Sequence, residues 1–224
     1  MDQLEQTISV IALTMGVGWA SGINLYATIF MLGLLNNMGH IALPEELQVV
    51  GDPLVLMAAG FMYFVEFFAD KIPGVDSGWD GLHTFIRIPA GAVLAAGAVG
   101  DMSIAVELAA ALVGGSLAAG SHAAKAGSRV LINTSPEPVT NWTASISEDL
   151  LVIGGLWAAL NHPVWFLAGL VLFLLLLVWL LPKLWRGIKK VFHFIAGLFG
   201  GAQDEPKGPL PTLSTKPSAP NEVR

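Results

Sequence analysis

Residues 111–133 read ALVGGSLAAGSHAAKAGSRVLIN. Gly, Ala and Ser at this density are typical of membrane helices, where small side chains let helix backbones approach closely. The same stretch carries His122, Lys125 and Arg129 at i, i+3 and i+7, on one helical face. A charge in hydrocarbon is costly unless it meets a partner or a polar cavity. The stretch therefore calls for a fold in which several helices enclose a charged interior, with the opposite charge supplied from elsewhere in the chain.

That charge is present in VEFFADKIPGVDSGWDGLHTFIR, residues 65–87. Glu66 and Asp70 are four apart and share a helix face. Pro73, Gly74 and Gly78 break the helix. Asp80, His83, Thr84 and Arg87 then follow at i, i+3, i+4 and i+7, again on one face. The two stretches are expected to converge in one polar cavity. Arg87, Lys125, Arg129, His122 and His83 are the candidates for binding a solute. Glu66, Asp70 and Asp80 are the candidates for balancing charge or binding an ion. A purely structural alternative has the same groups forming ion pairs that lock helices together.

The composition agrees with a membrane setting. The 224 residues are 54% apolar and 12% charged, against roughly 25% charged in soluble domains, and the mean hydropathy is +0.66. The net charge of −6 comes with no broad basic surface, so nucleic acid is not an expected partner. With no cysteine there is neither disulfide nor thiolate metal site. The opening MDQLEQ lacks the basic region of a cleavable signal, so the first helix is expected to remain as a span.

A crossing needs roughly 20 apolar residues, and six candidates occur, near 8–35, 54–70, 82–100, 103–132, 147–161 and 163–182. This predicts an all-α integral membrane protein with a transmembrane domain over 1–182. Its halves, about 8–100 and 103–182, hold three spans each, so they run in opposite senses. Weak likeness between them supports an inverted repeat: Gly22 to Asp52 is spaced much as Gly120 to Asp149. Gly22 and Gly120 are the candidate helix breaks. Beyond Pro182, KLWRGIKKVFHFIAGLFG (183–200) spaces Lys183, Arg186, Lys190 and His193 among apolar residues. It reads as an amphipathic interfacial helix facing anionic lipid over residues 183–193. A tail at 201–224, rich in Pro, Ser and charge, reads as disordered.

Lys and Arg placement orients the chain. Lys71, the Lys125–Arg129 end and the Lys183–Lys190 cluster fall on one side of a six-span threading. That side is expected to be cytoplasmic, with both termini on it, and the acidic loop 36–53 faces out. Asn133-Thr-Ser and Asn141-Trp-Thr match the glycosylation pattern but fall on the cytoplasmic side, so they read as coincidence.

No motif for a metalloprotease, a serine hydrolase or a phosphate-binding loop occurs. Ser121 next to His122 is not a nucleophile–base pair, because adjacent side chains diverge on a helix. The expectation is a non-enzyme with no cofactor and no metal. The leading functional reading is a small transporter or channel, with Arg87, Lys125 and Arg129 tilting it toward an anion or a phosphate-bearing lipid headgroup. A cation or proton pathway through the acidic pair, with His83 and His122 as relays, and a scaffold whose charges only pair are the alternatives. Besides the bilayer and a small solute or ion, a second copy of the chain is a candidate partner.

The stretches GWASGINLYATIFMLGLL (18–35), DKIPGVDSGWDGLHTFIRIPAGA (70–92) and GGSLAAGSHAAKAGSRVLIN (114–133) together resemble the bacterial membrane family called domain of unknown function 4126. The resemblance covers roughly residues 8–180. It implies a polytopic protein of a bacterial inner membrane and supplies no activity or catalytic residues to carry over.

Overall fold

The computed structural model describes residues 3–134 and 138–199. Every regular element among them is a helix: α1 (Gln3–Asn37), a short 3-10 helix (Glu45–Gly51), α2 (Pro53–Ala69), α3 (Val75–Ala98), α4 (Ile104–Ile132), α5 (Pro138–Asn161) and α6 (Pro163–Phe199). By length and apolarity α1, α4, α5 and α6 are each able to cross a bilayer. The 3-10 helix and α2, bent by 63°, together make a fifth candidate. An all-helical architecture suits hydrocarbon, where each backbone N–H must find its partner within its own segment. α3 is 24 residues long, but its first half, residues 75–87, is too polar to face lipid without shielding.

Local chemistry sets the boundaries. Asp52 caps α2, accepting from the Leu54 N–H at 2.8 Å, with Pro53 at the first helical position. Gly74 and Gly100, at φ 86° and 68°, turn the chain before α3 and before α4, as glycine does without a Cβ penalty. Pro138 likewise opens α5, so this helix starts well before the expected 147. Pro182 does not end α6, which continues to Phe199 as one helix. Residues 183–199 therefore extend the last helix and are not a separate element. Residues 201–224 lie outside the described part.

The largest departure from expectation is α1. Asn24 has extended backbone angles, φ −146° and ψ 98°, inside an otherwise helical run. Its side-chain Oδ1 accepts from the Ala27 N–H at 2.9 Å, which is how an N-cap residue starts a helix. α1 is thus two arms, residues 3–23 and 25–37. The first arm starts beside Val99, Met102 and Val106 and passes Gly114 at Gly18 and Ala118 at Gly22. It runs alongside α4 in the same direction. The second arm packs Phe30 on Gly60 and Gly33 on Val50 and Leu56. It ends with the Asn37 side chain donating to Gly51 O at 2.7 Å. Leu47, next to that point, touches Gly97 near the end of α3. Both ends of α1 thus lie at the end of the bundle where α3 finishes and α4 begins. The helix expected over residues 8–35, with a break at Gly22, is thus a pair of arms meeting two residues later, at Asn24.

Small residues make this packing possible. A Cβ on Gly18 would stand 2.6 Å from the Gly114 Cα, and one on Gly91 would stand 2.6 Å from the Ala118 Cβ. α1, α3 and α4 thus touch nearly backbone to backbone. α6 runs parallel to α4 on its other side, with Leu177 at Gly120, Leu184 at Gly127 and Leu131 at Gly187. Its outer face carries exposed Trp165 and Trp179, about 21 Å apart at 1.5 Å per residue.

Candidate functional site

The end of α2, the start of α3, the end of α4 and the middle of α5 meet around the tip of α1. Helical spacing aims Glu66 and Asp70 inward from α2, Asp80 and Arg87 from α3, and Lys125 and Arg129 from α4. Arg87 bonds Glu66 at 2.6 Å and Asp80 at 2.9 Å. Lys125 bonds Asp70 at 2.8 Å and Glu66 at 3.2 Å. It also lies 3.8 Å from Asp80 and 3.6 Å from Glu148. Arg129 grips both oxygens of Glu148, at 2.6 and 3.2 Å, and donates to Asp70 O and Asn141 Oδ1. The expected convergence of Arg87, Lys125, Arg129, Glu66, Asp70 and Asp80 is what the structure places there.

Glu66, Arg87 and Arg129 are fully buried and Lys125 is 4% exposed. The cluster is closed to water in this conformation. Its most exposed charged member is Glu148, whose side chain is 15% exposed.

The tip of α1 completes the arrangement. Ile23 O, at the end of the first arm, accepts from the Lys125 ammonium at 3.2 Å. A cation at a helix C-terminus is favoured by the exposed carbonyls there. Asn24 donates from Nδ2 to Asp149 Oδ1 at 3.1 Å. Ser121, on α4, donates to Trp19 O at 2.8 Å. The break is thus held by three side chains from α4 and α5.

The two histidines divide. His122 belongs to the cluster: Arg87 donates to its Nδ1 at 3.1 Å. Its Nε2 then carries the proton and donates to Thr84 Oγ1 at 2.7 Å, because the Thr84 hydroxyl itself donates to Asp80 O. These donors assign a neutral ring. His83 is turned away, stacked on Trp79, with Nδ1 donating to Trp79 O and Nε2 accepting from the Tyr26 hydroxyl at 2.9 Å.

The helix-break residues also divide. The break falls at Asn24, two residues after Gly22, and Gly22 itself lies where α1 abuts Ala118 and Ser121. α4 is continuous through Gly120, which meets Leu177 of α6. Both glycines serve close approach, which sequence spacing does not distinguish from a break. Asp52 and Asp149, matched in the expected repeat, sit in different settings, one capping α2 and the other buried midway along α5.

Asn24, Asn141, Glu148 and Asp149 are the site residues that the sequence reading missed. Asn24 left one signal, a strong N-cap type inside an apolar run. Asn141 matched a glycosylation pattern, yet it bonds Arg129 and also Asn133, which in turn donates to Asp76 and Ser77. Lys71, in the turn after α2, donates to Phe67 O and Ser145 and sits over the Phe67 ring. Burial pushes its ammonium down from the ordinary lysine value, with Asp149 and Asp70 opposing.

The charge balance is acidic. Three cations, Arg87, Lys125 and Arg129, face the four carboxylates Glu66, Asp70, Asp80 and Glu148; beside them Asp149 makes a fifth acid and the buried Lys71 a fourth cation. Glu66 Oε2, Asp70 Oδ1, Asp80 Oδ2, Asp149 Oδ2 and also Arg87 Nε are buried without a hydrogen-bond partner among the described protein atoms. Buried polar atoms are nearly always partnered, so unpartnered ones call for an explanation. Among the described residues no group of three His, Asp or Glu is arranged to hold a metal ion.

A family model with the description "Domain of unknown function (DUF4126)" matches residues 11–183. Comparison with curated proteins and with solved structures gives no match.

Proposed function

From the premise that the chain belongs to the DUF4126 family, a membership that assigns no chemistry, we propose that it is a small ion-translocating membrane protein acting through the acid-rich cluster at the tip of α1. The observation that carries this reading is the set of buried, unpartnered carboxylate oxygens in a cluster with more acids than bases. A surplus of negative charge in a low-dielectric site favours a proton or small cation over an anion. The anion reading rested on Arg87, Lys125 and Arg129, and all three are engaged by carboxylates. A broken helix with half-helix ends directed at charged groups is a recurrent plan for such sites.

For topology we read five crossings, α2 to α6, with α1 re-entrant, in place of six crossings in two inverted three-helix halves. Non-helical backbone at membrane depth is tolerated where protein buries it, as at Asn24. The end that holds Lys71, Arg129, Lys183, Arg186, Lys189 and Lys190 is placed at the cytoplasmic face. The last four ride on the extension of α6, with Lys183 over the Trp179 ring, in position for anionic headgroups.

The scaffold reading has one observation in its favour, the closure of the cluster. Purified protein in liposomes separates the two. The double variant Arg87→Gln with Glu66→Gln removes opposite charges together and is expected to fold. Its flux of protons or monovalent cations, read with an entrapped pH or cation dye, is expected to vanish. A folded double variant with undiminished flux would overturn the site, and a wild type without flux at any gradient would leave the scaffold.

A further inference from the structure

Asp149 differs from every other acid at the site. Glu66, Asp70, Asp80 and Glu148 each lie within ion-pair distance of an Arg or Lys. Asp149 is 8% exposed, and among the described residues no cation reaches it at that distance. Its one partner is Asn24, the residue at which α1 breaks, and its Oδ2 has none. An ionised carboxylate left alone in such a place is strongly disfavoured. Binding a proton at Oδ2 removes the charge and leaves Oδ1 free to accept from Asn24. We propose that Asp149 is the proton-carrying residue of this protein, protonated in the closed conformation and held against the break of α1. This rests on the translocation reading above and names its ion.

The groups that act on Asp149 come from each neighbouring element. α2 contributes Tyr63, Glu66 and Asp70, the turn after it Lys71, and α4 Lys125. α1 contributes the neutral Asn24, and α6 carries no charged residue between 163 and 182. Glu66 and Asp70 favour the protonated form, whereas Lys125 and Lys71 favour the ionised one. Release passes the Oδ2 proton to water as hydronium. The remaining carboxylate then faces Lys125 and Lys71. Because Asn24 both bonds Asp149 and caps the second arm of α1, gain or loss of this proton acts directly on the tip.

The test is labelling of the full-length protein in lipid nanodiscs with dicyclohexylcarbodiimide, an apolar reagent that adds to protonated carboxyls and leaves a stable N-acylurea. Peptide mass mapping is expected to find the adduct on Asp149, several-fold stronger at about pH 6 than at about pH 9, and unchanged by sodium at constant pH. Labelling of Glu66 or Glu148 in its place, or suppression at Asp149 by sodium, overturns the proposal, the latter in favour of a bound cation. If no adduct forms, thermal unfolding decides. A proton bound more tightly in the folded than in the unfolded state makes stability fall as pH rises. The wild type is therefore expected to lose melting temperature between these pH values, and Asp149→Asn, which mimics the protonated acid, is expected to lose less. Equal slopes overturn the proposal. Neither readout requires flux, so pH-dependent labelling of Asp149 in a protein without flux sinks translocation and leaves the proton assignment standing.

Discussion

Glu66 is a carboxylate shared between two cations. It holds both Arg87 and Lys125 through one oxygen and has no exposed surface. Removing it takes a carboxylate from two buried cations, leaving Arg87 with Asp80 and Lys125 with Asp70. Glu66→Ala is expected to cost at least the roughly 3–5 kcal/mol typical of a broken buried pair. Glu148→Ala is expected to cost less, although its bonds to Arg129 are equally short. Glu148 sits at the more open edge, so water can enter the space it leaves, and Arg129 keeps Asn141 and Asp70 O. Thermal unfolding of the two variants in the same detergent checks the order, and a reversed ranking would show that Glu148 is not at the edge of the cluster.

At the scale of the helices, glycine position separates contact from convenience. A Cβ on Gly18 or Gly22 runs into α4 backbone, whereas one on Gly154 or Gly169 meets nothing within 4 Å. Gly18→Ala and Gly22→Ala are expected to destabilise by about 1–3 kcal/mol through overpacking. Gly154→Ala and Gly169→Ala are expected to be neutral or to stabilise by up to about 1 kcal/mol through helix propensity. Melting temperatures of the four single variants test this, and a tolerated Gly22→Ala would contradict the close crossing. The same contrast shows what was legible beforehand. The inward stripes of α2, α3 and α4 were legible, because charges at helical spacing in an apolar chain have few places to go. The partner on α5 was not, since Arg129 and Glu148 meet only through tertiary folding. The break in α1 was read two residues early, at Gly22, because the capping bond from Ala27 to Asn24 uses a residue type that occurs equally well on a helix surface. Pro182, a conventional stop signal, failed as one. Its missing N–H costs one bond, and the helix propagates on both sides of it.

For the molecule as a whole, the five-crossing topology proposed above turns on the folding back of α1. Gln3 lies beside Val99 and Met102 at one end of the bundle, while Gly187 packs on Leu131 at the other. On that topology the N-terminus and the end of α6 lie on opposite faces, whereas the sequence reading has both on the cytoplasmic side. Single cysteines at Gln3 and Glu45 are expected to react together with an impermeant maleimide from outside, and a cysteine at Lys189 only after the membrane is opened. Co-labelling of Gln3 with Lys189 would restore a full crossing by α1.

The broken tip also fixes an order of manufacture. Its contacts reach 102 residues forward to Ser121 and 125 forward to Asp149. At about 5–20 residues per second, the ribosome makes Asp149 about 6–25 s after Asn24. During that interval Asn24 has no carboxylate to meet, and the first arm has no α4 to lie along. A segment made early is thus among the last to reach its final position. Until then it must lodge elsewhere, as a provisional crossing or at the lipid surface, and the insertion machinery must let it go.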